Sequence, residues 1–594
     1  MHCFEYPLDI KVLHRKKKSI KKELLETKIN WIEKRIAVLG GSTTNEVVDQ
    51  IELALLHHGI KPYFYQSDYG KYWEDGMFSN DNLNSFKPDI IYIHTNWRNI
   101  CSFPDISDTK DKVDQLVEQE YHRFVQLWEN LKNNFNCPII QNNFERPNYR
   151  LLGNRDIWDY HGRSNFITCL NQKFYDYAQS NKSFFINDID YIAQDFGLSK
   201  WNDSFYWNMY KYCCNFEAIP YLAASVANIV KSIYGKNKKI LTLDLDNTLW
   251  GGIIGDDGIN GIRLGKETPQ GLVFREVQAY CKQLKTIGVL LAVNSKNDEK
   301  SAMEGLSHPE CILHANDFVS IKANWDPKDQ NLNEISKEIT LGLDSFVFID
   351  DNPVERTLVS KQLPDVSTPQ VNTPDDFIKI LDHSGYFEVT SLSSEDLQKS
   401  NQYQARAAAQ NLQKQFKDYS EYLKSLQMKA LITDFEPISI QRIAQLTNKT
   451  NQFNLTTLRC TENDICAMQA NPDYICICAR LTDRFMDNGI VTVLAGELIN
   501  KNLHIRLWLM SCRVLKRDLE YLMMNELVNK VKDLNVDEII GYYLPTEKNG
   551  MVKELFKDLG FSLKSKDEKG NTVWNIKTKE YKPHKIYIDV IKRQ

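Results

Sequence analysis

Asp244 and Asp246 stand two residues apart at the end of an apolar run, Ile240-Leu241-Thr242-Leu243. A strand has period two, so both carboxylates fall on one side of an extended chain. The run suits a buried parallel strand. At the carboxyl end of such a strand an open α/β sheet forms its ligand crevice. Two carboxylates held there can bind a hard cation such as Mg2+, and one can act as a nucleophile. An Asp-rich strand-to-turn without chemistry is the plain alternative, and the rest of the chain decides between the two.

The signature Asp244-Leu245-Asp246-Asn247-Thr248 resembles motif I of the haloacid-dehalogenase-like (HAD) phosphotransferases. A second strand, 288–293, runs into Asn294-Ser295-Lys296-Asn297, which resembles motif II. There a Ser or Thr hydroxyl bonds a phosphoryl oxygen, a role that falls on Ser295. The family next uses a lysine to balance the charge of nucleophile and phosphate. Lys322 and Lys328 are candidates, and Lys328 is preferred because it opens the helix before the last strand. That strand, 345–349, ends in Asp350-Asp351-Asn352-Pro353, which resembles motif IV. The resemblance implies a Mg2+ site built from Asp244, Asp246 through its backbone carbonyl, Asp350 and Asp351. It implies Asp244 as nucleophile or phosphoryl ligand and Asp246 as general acid/base. Thr248, Ser295, Lys296 and Lys328 follow as the substrate phosphate contacts.

The spacing between these motifs is short. One flap and one helix consume most of the chain between Asp244 and Ser295, and the gap to Lys328 is also small. Neither leaves room for a cap domain, and an open site can admit a macromolecule. The stretches LDLDNTLWGGIIGDDG, LLAVNSKND, IKANWDPK and GLDSFVFIDDNPVER resemble the FkbH-like proteins, HAD subfamily IIIC, and the likeness extends over most of the chain. It implies loading of a three-carbon glyceryl unit from 1,3-bisphosphoglycerate onto the phosphopantetheine arm of an acyl carrier protein, with release of phosphate, for polyketide-type biosynthesis. Many relatives carry Cys-Ser-Lys-Asn at motif II, where the cysteine is a plausible acyl carrier; this chain has Asn294. Direct attack by the carrier thiol, a different acyl unit or a different cysteine are the alternatives. A phosphatase or phosphotransferase on a small phosphorylated metabolite, and a non-catalytic carrier-docking module, are the competing functions.

The elements around this centre read as two flanking domains. Strand 35–39, the turn Gly40-Gly41-Ser42-Thr43-Thr44, a helix from 45 to 58, and strands 61–65 and 88–93 give a three-layer α/β pattern similar to the SGNH hydrolases. Ser42 stands where that family has its nucleophile and Asn96 where it has an oxyanion-hole Asn. No Asp-x-x-His follows, and Asp159-Tyr160-His161 has the wrong spacing, so Ser42 is expected to be a helix N-cap. Residues 201–214, rich in aromatics, are expected to pack. Beyond a polar helical connector, a helix, antiparallel strands, a helix, a strand and a G-F turn resemble the GNAT acyltransferase fold. Cys512 falls at the strand end where an acyl thioester would lie. It is either a buried structural thiol or an acyl-transfer thiol. Arg513, Lys516 and Arg517, in place of a glycine-rich loop, are candidates for a phosphate or pantetheine arm.

The expected fold class is α/β multidomain: an SGNH-like domain (1–235), a capless HAD Rossmann-like domain with a parallel sheet (236–392), a helical connector (393–429), a GNAT-like α+β domain (430–580) and a C-terminal tail (581–594). A chain of 594 residues exceeds one core. A net charge of -5 without a polybasic stripe argues against general nucleic-acid binding. No apolar run is long enough for a bilayer, and the start lacks a signal-peptide core. Thirteen scattered cysteines without zinc spacing point to a reducing cytoplasm.

Overall fold

The computed structural model describes residues 2–27, 31–266, 268–392, 416 and 418–591. They fall into two compact units, residues 1–233 with 388–391 and residues 234–387 with 392–594.

The first unit is built on five parallel strands: β1 Ile32–Gly40, β2 Ile60–Gln66, β3 Ile90–His94, β4 Ile139–Asn142 and β5 Phe184–Asn187. Their order is β2-β1-β3-β4-β5, so the chain switches direction across the sheet at β1 and β3. Buried apolar residues on β1, β3 and β4 are covered by helices, among them Lys110–Phe135, whose Phe124, Leu127, Trp128 and Leu131 enter the core. The register sets Gly40 beside His94. One step past the β3–β4 pair Ile93/Gln141, His94 falls level with Asn142, and Asn142 pairs with Asn187. The carboxyl ends of this sheet therefore carry a polar row. One expectation fails here. The helix Asn45–His57 has Thr44, not Ser42, at its N-cap. The turn from Gly40 holds Ser42 two residues before the helix, and its hydroxyl caps nothing.

The second unit holds two sheets. The first has β6 Ile240–Leu243, β7 Leu290–Ser295, β8 Ser320–Ala323 and β9 Phe346–Ile349, all parallel, in the order β8-β7-β6-β9. β6 is central and wholly buried, so its apolar run is what a strand covered on both faces requires. Leu243 pairs with Val293 on one side and Ile349 on the other. The next residues, Asp244, Asn294 and Asp350, are thereby set in one row. Helices return the chain behind each strand, with Thr268 capping Pro269–Thr286 and Asn352 capping Pro353–Gln362. Both helices carry proline at the first position, where no N–H is needed. Between β6 and β7 the described residues contain no cap domain. The glycine-rich stretch expected as a hairpin flap closes through a Gly251–Arg263 bridge, but its tip is a helical turn, Ile254–Asp257.

The second sheet comprises β10 Met428–Asp434, β11 Phe453–Asn454, β12 Tyr474–Thr482, β13 Asp487–Ile499, β14 Asn502–Met510, β15 Glu538–Tyr543, β16 Ser562–Lys566, β17 Thr572–Lys577 and β18 Ile588–Ile591. β10, β12, β13 and β14 run antiparallel, whereas β15 joins β14 in parallel. Trp508, Met523, Leu527 and Phe556 lie in the core on one face. Within the expected tail, β18 pairs in parallel with β10, Met428 opposite Ile588. Most of the expected connector, 393–429, lies outside the described residues; its described end holds the helix Tyr419–Ser425 and the start of β10. Among the described residues no helix is long and apolar enough to cross a membrane.

Candidate active site

The row at the end of β6, β7 and β9 is the chemical centre. Lys328 Nζ sits 2.5 Å from Asp350 Oδ2 and 3.0 Å from Asp244 Oδ1, all three buried. Burial works against the ammonium, but the two carboxylates outweigh it and hold the Lys328 pKa above its ordinary value. Burial and then the Asp244 charge push the Asp350 carboxyl up to about 6 despite the lysine. Burial and Asp244 also raise Asp351. One oxygen from each of Asp244, Asp350 and Asp351 lies within 4.8 Å of the others. Three convergent carboxylates in so small a space are the donor set a hard divalent cation takes. Their backbone is fixed by Arg356, whose Nη1 donates to the Asp350 and Asp351 carbonyls at 2.6 and 2.8 Å.

The Asp246 side chain is not part of that cluster. Its Oδ1 accepts from Trp250 Nε1 (2.8 Å) and Ile254 N (3.0 Å), and its Oδ2 accepts from Asn297 Nδ2 (2.8 Å). Two of those donors belong to the stretch that follows motif I, so flap position and carboxylate orientation are coupled. Thr248 is buried with its hydroxyl unpartnered, and Ser295 is buried at the end of β7. Lys296 reaches away to Glu355 Oε1 at 2.6 Å. Lys322, the lysine not preferred, pairs with Glu334 and Glu338 on the neighbouring helix.

Asn294 is a structural pin. Its Nδ2 donates to the Lys328 carbonyl (2.9 Å) and its Oδ1 accepts from Asn331 Nδ2 (3.1 Å). The residue at the place of the relatives' cysteine thus fixes the first turn of the helix that carries Lys328. Asn294, Asn297, Asn331 and Arg356 take these supporting roles; only Asn294 stood out in sequence, and for another reason. Side-chain amides have no spacing signature.

In the second sheet the thiol and basic candidates are spread out. Cys512 is half-buried at the head of a short 3-10 turn after β14. Arg513 Nε donates to Ser511 Oγ at 3.1 Å, and Lys516 is exposed. Arg517 is buried in an ion pair with Asp483, 2.5 Å. β14 and β15 pair only over 502–504 and 538–540, then part. The gap is filled by the chain itself: β11 pairs with Met510 and Leu509, and Leu455 bonds Trp508 on one side and Leu544 on the other.

Comparison with known proteins agrees with this geometry. Residues 35–231 match the family model of the FkbH N-terminal domain. The structure is similar to the N-terminal part of protein BF1531 from Bacteroides fragilis, which contains a phosphatase domain and was solved in complex with Mg. The identity is 27%, the TM-score 0.58, and the match covers 63% of this chain and 99% of that one. The ribosomal-protein-S18-alanine N-acetyltransferase of Escherichia coli aligns at 9% identity and a TM-score of 0.21, over 25% of this chain and 94% of its own. The PaiA N-acetyltransferase of Thermoplasma acidophilum, solved with coenzyme A, aligns at 12% identity and 0.21, over 25% and 99%. No curated protein matches. The parallel sheet with its carboxylate–lysine row belongs to a chain whose fold is similar to that of a phosphatase-domain protein. More narrowly, residues 35–231 are similar to the FkbH N-terminal domain.

Proposed function

We propose that the chain is a Mg2+-dependent FkbH-like enzyme that takes phosphate from a three-carbon phosphoglyceryl donor, 1,3-bisphosphoglycerate or a similar acyl phosphate, and loads the glyceryl unit onto the phosphopantetheine thiol of an acyl carrier protein. The observation that carries the phosphoryl half is the row Asp244, Lys328, Asp350 at a sheet end without a cap domain. The acyl half rests on the resemblance to FkbH-like proteins.

Asp244 attacks the phosphorus of the donor's phosphoester, and the bond from phosphorus to the leaving oxygen breaks. Asp246 supplies that oxygen's proton and later takes one from the water that cleaves the aspartyl phosphate. Lys328 balances the charge that accumulates on the phosphoryl oxygens, and the Ser295 and Thr248 hydroxyls stand at the same strand ends to bond them. A divalent cation held by Asp244, Asp350 and Asp351 would supply further charge neutralisation. In the acyl step the carrier sulfur bonds to the carbonyl carbon as the carbon–oxygen bond to phosphate breaks. With Asn294 at motif II, the acyl group passes directly to the carrier or through a thiol elsewhere.

The test is intact-mass spectrometry of a holo carrier protein incubated with the enzyme, Mg2+ and 1,3-bisphosphoglycerate. A glyceryl adduct is expected. Phosphate release without an adduct would reduce the function to that of a phosphatase on a small metabolite. Phosphate release surviving in Asp244→Asn would remove the phosphoryl assignment as well.

A further inference from the structure

The first unit contains a second reactive centre that the phosphoryl chemistry does not use. His94, at the end of β3, has its Nε2 3.4 Å from Cys213 Sγ. Its Nδ1 lies 2.8 Å from the Tyr92 hydroxyl, whose own proton goes to Asn142 Oδ1 at 3.0 Å. The Asn142 Nδ2 amide also stands 3.3 Å from Nδ1, so two partners hold the ring on that side and turn Nε2 toward the thiol. The polar row then continues: Asn187 Nδ2 donates to Asn142 Oδ1 (2.8 Å) and Ser225 Oγ to Asn187 Oδ1 (2.7 Å). The imidazole is therefore oriented by a buried chain of partners, the third component a thiol–imidazole nucleophile needs.

Two side chains at the same sheet end are unsatisfied. Ser42 and Asn96 lie two residues past Gly40 and His94, which are register partners, so both cross the same sheet end. Each is 1% exposed, and Ser42 Oγ and Asn96 Nδ2 have no hydrogen-bond partner. The Thr43 amide bonds the Lys211 carbonyl at 3.0 Å, which brings the 211–214 segment over this turn. The neighbouring Cys214 thiol and the His94 imidazole hold the Cys213 pKa well below its ordinary value against the effect of burial. Two buried donors without partners beside an oriented thiol have the composition of an oxyanion site.

We infer that Cys213 and His94 form a nucleophilic thiol site for activated acyl groups, with Ser42 and Asn96 as the donors to the carbonyl oxygen. His94 Nε2 takes the Cys213 proton, the sulfur bonds to the acyl carbon, and the bond from that carbon to its leaving oxygen or sulfur breaks. The leaving group carries away the proton from His94. Water or another thiol then releases the acyl group by the reverse path. Cys213 keeps 7% of its surface.

The probe is p-nitrophenyl acetate, applied to the full chain without metal or phosphorylated donor, so the result is independent of the phosphoryl site. Peptide mass mapping is expected to place one acetyl group on Cys213 ahead of the exposed Cys101, Cys169 and Cys466. In His94→Gln, checked for folding by circular dichroism, the labelling rate is expected to fall at least tenfold. Asn96→Ala should slow acetylation while leaving the rate of alkylation by iodoacetamide, which forms no oxyanion, near that of the wild type. An unlabelled Cys213 in the wild type, a Cys213–Cys214 disulfide under reducing purification, or equal labelling in His94→Gln would each overturn the inference.

Discussion

Asn294 donates a 2.9 Å hydrogen bond to the backbone carbonyl of Lys328, and so couples the end of β7 to the lysine that neutralises Asp244 and Asp350. The bond is buried, and its loss also removes one of the two acceptors of the Asn331 amide, leaving Asn324 Oδ1 at 2.8 Å. Asn294→Ala is expected to cost about 1–3 kcal/mol of stability. Phosphate release should fall roughly tenfold through misplacement of Lys328. Asn294→Cys restores the thiol of the relatives but not the bond. It should be destabilised to a similar degree, and an acyl adduct on residue 294 after incubation with donor would be a gain of function. Urea unfolding and intact mass read the two effects separately.

Lys328→Met leaves two buried carboxylates facing each other without a cation. Breaking such a pair costs roughly 3–5 kcal/mol. Added Mg2+ is expected to recover part of that loss, because the ion takes the place of the ammonium charge. The rise in Tm on adding Mg2+ should therefore be larger in Lys328→Met than in the wild type, and absent in Asp350→Asn combined with Asp351→Asn. Equal Tm shifts in all three proteins would separate the carboxylate cluster from metal binding.

Asn297→Ala removes the single side-chain donor to Asp246 Oδ2, while the Trp250 and Ile254 donors to Oδ1 remain. The carboxylate then loses half of its orientation and one bond that favours its charged form. Turnover is expected to fall about 10–100-fold, with KM little changed. A change confined to KM would make Asn297 a substrate contact instead.

The phosphoryl site was legible because a parallel sheet writes its chemistry at strand ends. Asp244, Ser295 and Asp350 each follow an apolar run, and strand register alone then sets Asp244 beside Asp350. Lys328 was reachable only through the motifs around it. The His94–Cys213 pair left no such mark: the two residues are 119 apart in sequence, and Cys213 lies in an aromatic stretch expected merely to pack. By sequence Ser42 is an N-cap candidate, because turn serines before helices usually are caps. What separates it from that role is two residues of turn, which periodicity does not resolve. In the C-terminal region, sequence gave Arg513, Lys516 and Arg517 equal standing, since charge type does not reveal that Arg517 meets Asp483 in the interior.

Glu145 tests the electrostatics of the first unit. It is fully buried, its Oε2 accepts from the Trp97 amide at 3.3 Å, and burial first, then the Cys213 charge, push its carboxyl up to about 8. Cys214 and Arg98 are the other ionisable groups coupled to it. A carboxyl with a raised folded pKa keeps its proton in the folded state after the unfolded chain has released it. Stability therefore declines as pH rises from the ordinary Glu value of 4.5 and levels off near about 8. Amide exchange in the full chain reads this locally: protection of residues 90–97, corrected for intrinsic rates, should fall between pH 5 and pH 8. Glu145→Gln stays neutral throughout and should flatten that decline, with protection above the wild type at pH 8 and close to it at pH 5. Protection that rises with pH in the wild type would mean that Glu145 is ionised in the folded protein, with Arg98 as the group positioned to stabilise its charge.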